Sequence, residues 1–132
     1  MKKRLSLALQ QDLKKNLLKV KSDSLIIGVN EGTALNPISS KVDQATNGVI
    51  KKLAKRKEFE GKVGQQAYVA APEGLSAERL YLIGFGKSKD LLSSEDIDKI
   101  LNSTINSLKS SKSKNASICF PSLKYSNKSQ ND

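Results

Sequence analysis

The sequence contains no histidine, no tryptophan, one cysteine and one methionine, and aromatic residues make up only 5% of it. Each absence excludes a kind of chemistry. Without histidine there is no Ser-His-Asp or Cys-His nucleophile and no histidine-ligated zinc. A lone Cys119 excludes a disulfide framework and fits a reducing, cytoplasmic setting. A carboxylate-only metal site or a lysine-based mechanism stays open. Long apolar runs are also missing. Met1-Lys2-Lys3-Arg4 has the charge of a signal-peptide start, but the run Leu5 to Leu9 is broken by Ser6 and stops at Gln10-Gln11-Asp12. A signal core needs about 7–15 apolar residues and a membrane span about 20, so neither is expected.

What is present suits one domain. The 132 residues carry 23 Lys+Arg against 13 Asp+Glu, a net charge of +10. That excess suggests a polyanionic partner and bears on association rather than on fold. Apolar and polar residues alternate over Leu5 to Leu9, as in a half-buried edge strand. Ser24 to Val29 is a nearly continuous apolar run, as in strands covered on both faces. Val63 to Ala71 and Arg79 to Gly84 read as two more strands, with Pro72-Glu73-Gly74 turning the chain between them. Ala116 to Phe120 makes a fifth, closed by Pro121.

Two helices are expected between these strands. Asn36 is a fitting N-cap with Pro37 at the first helical position. Ile38, Val42, Ala45, Val49 and Leu53 then form one apolar stripe, with a bend expected at Gly48. Ser93 and Asp96 have the spacing of a capping box. They open a helix whose expected buried face is Ile97, Ile100, Leu101, Thr104, Ile105 and Leu108. The order β, β, α, β, β, α, β predicts one α/β layer structure around a mixed sheet. Residues 1–121 form the expected domain. Residues 122–132, rich in Ser, Lys and Asn, read as a polar tail or the start of a linker.

The candidate motifs each have a plainer account. Gly84-Phe85-Gly86-Lys87-Ser88 follows a strand, yet Tyr81 stands where a phosphate loop needs its first glycine, and Lys89 where a dinucleotide fingerprint needs its third. A tight strand exit explains the glycines. Lys51, Lys52, Lys55, Arg56 and Lys57 cluster where the first helix ends. With Lys41 and Gln44, the helical lysines of that cluster share a surface away from the apolar stripe. Cations there complement the helix dipole. Contact with a nucleic-acid phosphate backbone is the functional alternative and predicts strongly salt-dependent binding. Glu95, Asp96 and Asp98 suit a helix start better than a cation loop. Ser39 and Ser40 suit the polar first turn of a helix. Cys119, between Ile118 and Phe120, reads as a buried inert thiol.

One ordered series goes beyond generic α/β sequence. Asp23 to Val29 is followed by Glu31-Gly32, then by Val42-Asp43 in a helix. Phe59-Glu60-Gly61-Lys62-Val63-Gly64 comes next, and Glu78 to Lys87 ends in Gly84-Phe85-Gly86-Lys87. From about Leu5 to Pro121 this resembles the N-terminal domain of the leucyl (cytosol) aminopeptidases. The resemblance implies a macro-domain-like, three-layer α/β/α sandwich attached to a separate C-terminal catalytic domain. In that family the catalytic domain holds two divalent metals (zinc, manganese or magnesium) and removes N-terminal residues from peptides. The intact enzymes are homo-hexamers.

The family's metal-binding carboxylates and lysine, with its Asn-Thr-Asp-Ala-Glu-Gly-Arg signature, have no counterpart in this chain. No catalytic, metal or cofactor residue is therefore carried over, and the expected role is assembly or access to the active site. Two alternatives stand beside it: a basic DNA-binding module, and a stand-alone macro-like domain for ADP-ribose or another nucleotide.

Overall fold

The structure, a computed structural model, describes residues 17–19, 21–32, 35–111 and 114–122. The expected strand Leu5 to Leu9 and the tail beyond Ser122 lie outside the described residues. A 3-10 turn at Leu17–Lys19 leads into β1 (Ser24–Glu31), then α1 (Pro37–Ala45), α2 (Val49–Lys55), β2 (Gln66–Ala70) and β3 (Arg79–Lys87). α3 (Ser94–Ser111) and β4 (Ala116–Cys119) complete the order. The strands form a mixed sheet ordered β2-β3-β1-β4. β1 runs parallel to both β3 and β4, and β2 is antiparallel to β3.

The sheet is covered on both faces, so the strands bury alternate residues in two separate cores. Leu25, Ile27, Val29, Leu80 and Leu82 meet Val42, Ile50 and Phe59 on the side of α1 and α2. Ile26, Tyr81, Ile83 and Phe85 meet Leu92 and Ile100 on the side of α3. This is the period-two pattern of a pleated strand with partners above and below. A three-layer α/β/α architecture results, and Cys119 is buried in the first core.

Three local expectations are corrected. First, Pro37 to Lys55 is two helices, not one bent helix. Asn47 (φ 59°) and Gly48 (φ 80°) are left-handed, and Thr46 Oγ1 donates to the Val42 carbonyl at 2.7 Å. The break resets the helical phase, so Ile50 (2% exposed) reaches the core, while Val49 and Leu53 are only partly buried. Buried Asp43 makes the corner hold. Its Oδ1 accepts from the amides of Ile50 (2.8 Å) and Lys51 (3.1 Å), satisfying the open N-terminus of α2.

Second, β3 does not exit at Gly84 but continues to Lys87. Gly84 is buried because a loop lies directly on it, and a Cβ there would collide with the Lys62 carbonyl oxygen. Gly61 (φ 86°) and Gly64 (φ 80°) bend that loop, as expected for their place between helix and strand. Third, α3 does not bury its whole apolar stripe. Leu101 is 50% and Ile105 47% exposed, whereas Ser103, Thr104, Ser107 and Ser111 are buried. Its capping box is formed as expected. The Asp96 amide donates to Ser93 Oγ at 3.0 Å, and the Ser93 amide to Asp96 Oδ2 at 3.1 Å.

Candidate functional site

β1 leads into α1 on one face of the sheet, and neighbouring β3 leads towards α3 on the other. Adjacent strands whose connections part in this way leave a crevice at their carboxyl ends, the usual ligand position in open α/β sheets. A cavity of about 420 Å³ lies there, lined from all three parallel strand ends by Asn30, Phe85, Lys87, Phe120 and Pro121, and by Asn36 and Lys41 of the α1 entry.

Its polar floor is already ordered. Asn36 Nδ2 donates to the Gly28 carbonyl (3.0 Å) and to Asn30 Oδ1 (2.9 Å), while Asn36 Oδ1 accepts from the Ser39 amide (2.9 Å). Asn30 Nδ2 donates to the Gly86 carbonyl at 3.1 Å. Two side-chain amides thus tie β1, β3 and the α1 cap together. Ser39 serves that cap, its hydroxyl donating to the Asn36 carbonyl. Phe85 and Phe120 form one wall, edge to face at 4.9 Å between ring centres. Lys41, Lys87 and Asp90 stand exposed at the rim.

The glycine motif does not face this crevice as a phosphate cradle. The Gly84 amide donates to the Gln65 carbonyl (2.7 Å) and the Gly86 amide to the Gly61 carbonyl (2.8 Å). The loop they receive is itself closed by one side chain. Gln65 Oε1 accepts from the amides of Glu60 (2.9 Å), Gly61 (3.1 Å) and Lys62 (3.2 Å). Successive amides of this kind make an anion-binding concavity, and here the chain fills it with its own amide oxygen. Sequence inspection had no signal for Gln65, because its partners are backbone groups.

The basic residues remain together but in a different setting. Lys51, Lys52 and Lys55 lie on α2, Arg56 and Lys57 follow its end, and all five are exposed. Arg56 comes within 4.0 Å of Glu58, a solvent-exposed contact of little energetic weight. Lys51 and Lys55 border a second cavity of about 630 Å³, beside Asn30, Glu31 and Phe59. Lys41 and Gln44, expected on the same helix surface, belong to α1 beyond the break. Lys41 instead lines the first crevice.

Among the described residues no three of His, Cys, Asp and Glu converge as a metal site. Asp43 is engaged with α2 amides and Asp96 with the α3 cap. No helix among the described residues is long and apolar enough to cross a membrane.

Comparison with known proteins bears on this geometry. Residues 26–132 match the N-terminal domain of the cytosol aminopeptidase family. The structure is similar to that of a mutant tomato leucine aminopeptidase, with a TM-score of 0.59 and 25% identity over 78% of this chain. The match spans 21% of the tomato chain, so this chain covers about a fifth of that relative. It is also similar to the macrodomain of Mycobacterium tuberculosis DarG, with a TM-score of 0.58 over 77% of this chain and 69% of that one. At 16% identity the second likeness shows a shared macrodomain-like fold.

Proposed function

The chain belongs to the cytosol aminopeptidase family through its N-terminal domain, and from that premise we propose that it is the non-catalytic domain of a metal-dependent leucyl aminopeptidase. The family match over residues 26–132 carries this reading, supported by the likeness to the tomato enzyme. The intact protein would release N-terminal amino acids from peptides in the cytoplasm as a homo-hexamer. Its two divalent metals (zinc, manganese or magnesium) would sit in the catalytic domain, to which this domain contributes assembly or control of access. The purified 132-residue chain is expected to leave leucine amide intact with and without Mn²⁺. Hydrolysis that co-purifies with it would overturn the assignment.

A second reading rests on Lys51, Lys52, Lys55, Arg56 and Lys57, which are exposed along α2 and just beyond its end, with only Glu58 paired to them among the described residues. Such a patch suits a DNA phosphate backbone. Filter binding of duplex DNA should then weaken steeply between low and high salt. An affinity indifferent to salt removes phosphate contact as the basis.

A further inference from the structure

Asn47-Gly48 is the one Asn-Gly pair in the sequence, and it forms the corner between α1 and α2. In such a pair the asparagine side chain can react with the main chain, because the glycine nitrogen has no side chain beside it to shield it. The corner is open to solvent. Asn47 is exposed, and nothing lies within 4 Å of where a Cβ on Gly48 would stand. Crowding therefore does not prevent the reaction.

The backbone does. α1 ends in a Schellman motif, with Asn47 left-handed (φ 59°) just past the helix. The Asn47 amide donates to the Gln44 carbonyl at 3.4 Å, and the Gly48 amide to the Asp43 carbonyl at 2.7 Å. The Gly48 nitrogen is the nucleophile, and its N–H is committed to a short hydrogen bond. While that bond stands, the proton is kept from solvent base and the nitrogen cannot turn towards Asn47 Cγ. Asp43 also fastens the far side of the corner. Its Oδ1 accepts from the amides of Ile50 (2.8 Å) and Lys51 (3.1 Å).

We propose that Asn47-Gly48 is a deamidation site gated by opening of the α1–α2 corner. Once the corner opens, the Gly48 nitrogen loses its proton to solvent base and attacks Asn47 Cγ. A C–N bond forms, the Cγ–Nδ2 bond breaks, and the amide group takes a proton from water and leaves as ammonia. Water then opens the cyclic imide. Attack at Cγ yields aspartate in an unaltered main chain. Attack at the backbone carbonyl carbon yields isoaspartate, whose main chain runs through Cγ and is longer by a methylene. The connection from Asp43 to Ile50 then no longer has the length at which one carboxylate caps α2, so the corner cannot close as before.

Peptide-mapping mass spectrometry of the 132-residue chain at mildly alkaline pH tests this. Aspartate and isoaspartate at position 47 should accumulate at least about tenfold faster in urea than in native buffer. Equal rates overturn the gate. Asp43→Ala removes the cap on α2 and should raise the native-buffer rate severalfold. Asp43→Asn, which keeps an acceptor oxygen, should raise it less. Ile83→Val loosens the core on the other face of the sheet and should leave the rate near that of the unsubstituted chain. Circular dichroism checks that each variant is folded, and if Asp43→Ala is not, Asp43→Asn carries the same comparison. An unchanged rate in the Asp43 variants overturns the proposal. So does an equal rise in Ile83→Val, which would make global unfolding the controlling step.

Discussion

The two faces of the sheet are closed by different means. On the α1–α2 face, Val42, Ile50 and Phe59 are 0%, 2% and 1% exposed, and the helix corner is fixed by one buried carboxylate. On the other face, α3 buries one large side chain, Ile100, among three serines and a threonine. The first face is a conventional apolar core, stabilised by the area it removes from water. The second relies on small residues that let α3 approach the Gly64 loop, with hydrogen bonds replacing part of the apolar area. The contrast teaches that one sheet can be closed by apolar area on one side and by close approach and hydrogen bonds on the other, where Leu101 and Ile105 stay half exposed.

Substitutions can break or sharpen that contrast. The largest effect is expected at Gly84, where both faces depend on β3 lying under the 61–65 loop. Gly84→Val forces a side chain into the Lys62 carbonyl, and should destabilise by about 4 kcal/mol in urea unfolding. An unchanged midpoint would show that the loop can lift away.

Next comes a paired test of the faces themselves. Ile50→Ala, at a 2% exposed position, should cost about 3 kcal/mol, whereas Ile105→Ala on α3 should stay within about 0.5 kcal/mol in the isolated chain. Similar losses at both sites would erase the distinction. Asp43→Ala leaves the amides of Ile50 and Lys51 without their partner. A loss of about 2 kcal/mol is expected, with Asp43→Asn recovering part of it in the same thermal-unfolding series. Ser103→Ala removes the bond to the Gly64 carbonyl and should cost about 1 kcal/mol. If the Ser103→Ala helix rolls, Leu101 becomes less accessible, which hydrogen exchange along α3 would register.

The sequence was most readable where pattern and burial coincide. Ser24 to Val29 announced a strand covered on both faces, and all of these positions are buried. Ser93 and Asp96 announced their helix start, and both bonds form. The first helix misled, because its apolar spacing fitted one continuous stripe. A left-handed Asn47-Gly48 corner is a local choice that spacing does not encode. The crevice was less legible still. Asn36 was visible as a cap, but its other bonds reach Gly28 and Asn30, and Lys87 and Phe120 join the site from distant parts of the chain.

The sequence by itself determined that β1 to β4 are strands, where α1 and α3 start, the missing histidine chemistry and the family resemblance, because these rest on residue type and short-range spacing. Only the tertiary structure decided which side of α3 is buried. Apolar periodicity states how much of a helix seeks cover, while the contacts of Ser103 and Ser107 with a remote loop and strand decide which part obtains it. The positive charge follows the same division. Composition gave the +10, and the break between α1 and α2 separated Lys41, at the crevice, from the basic cluster beginning at Lys51.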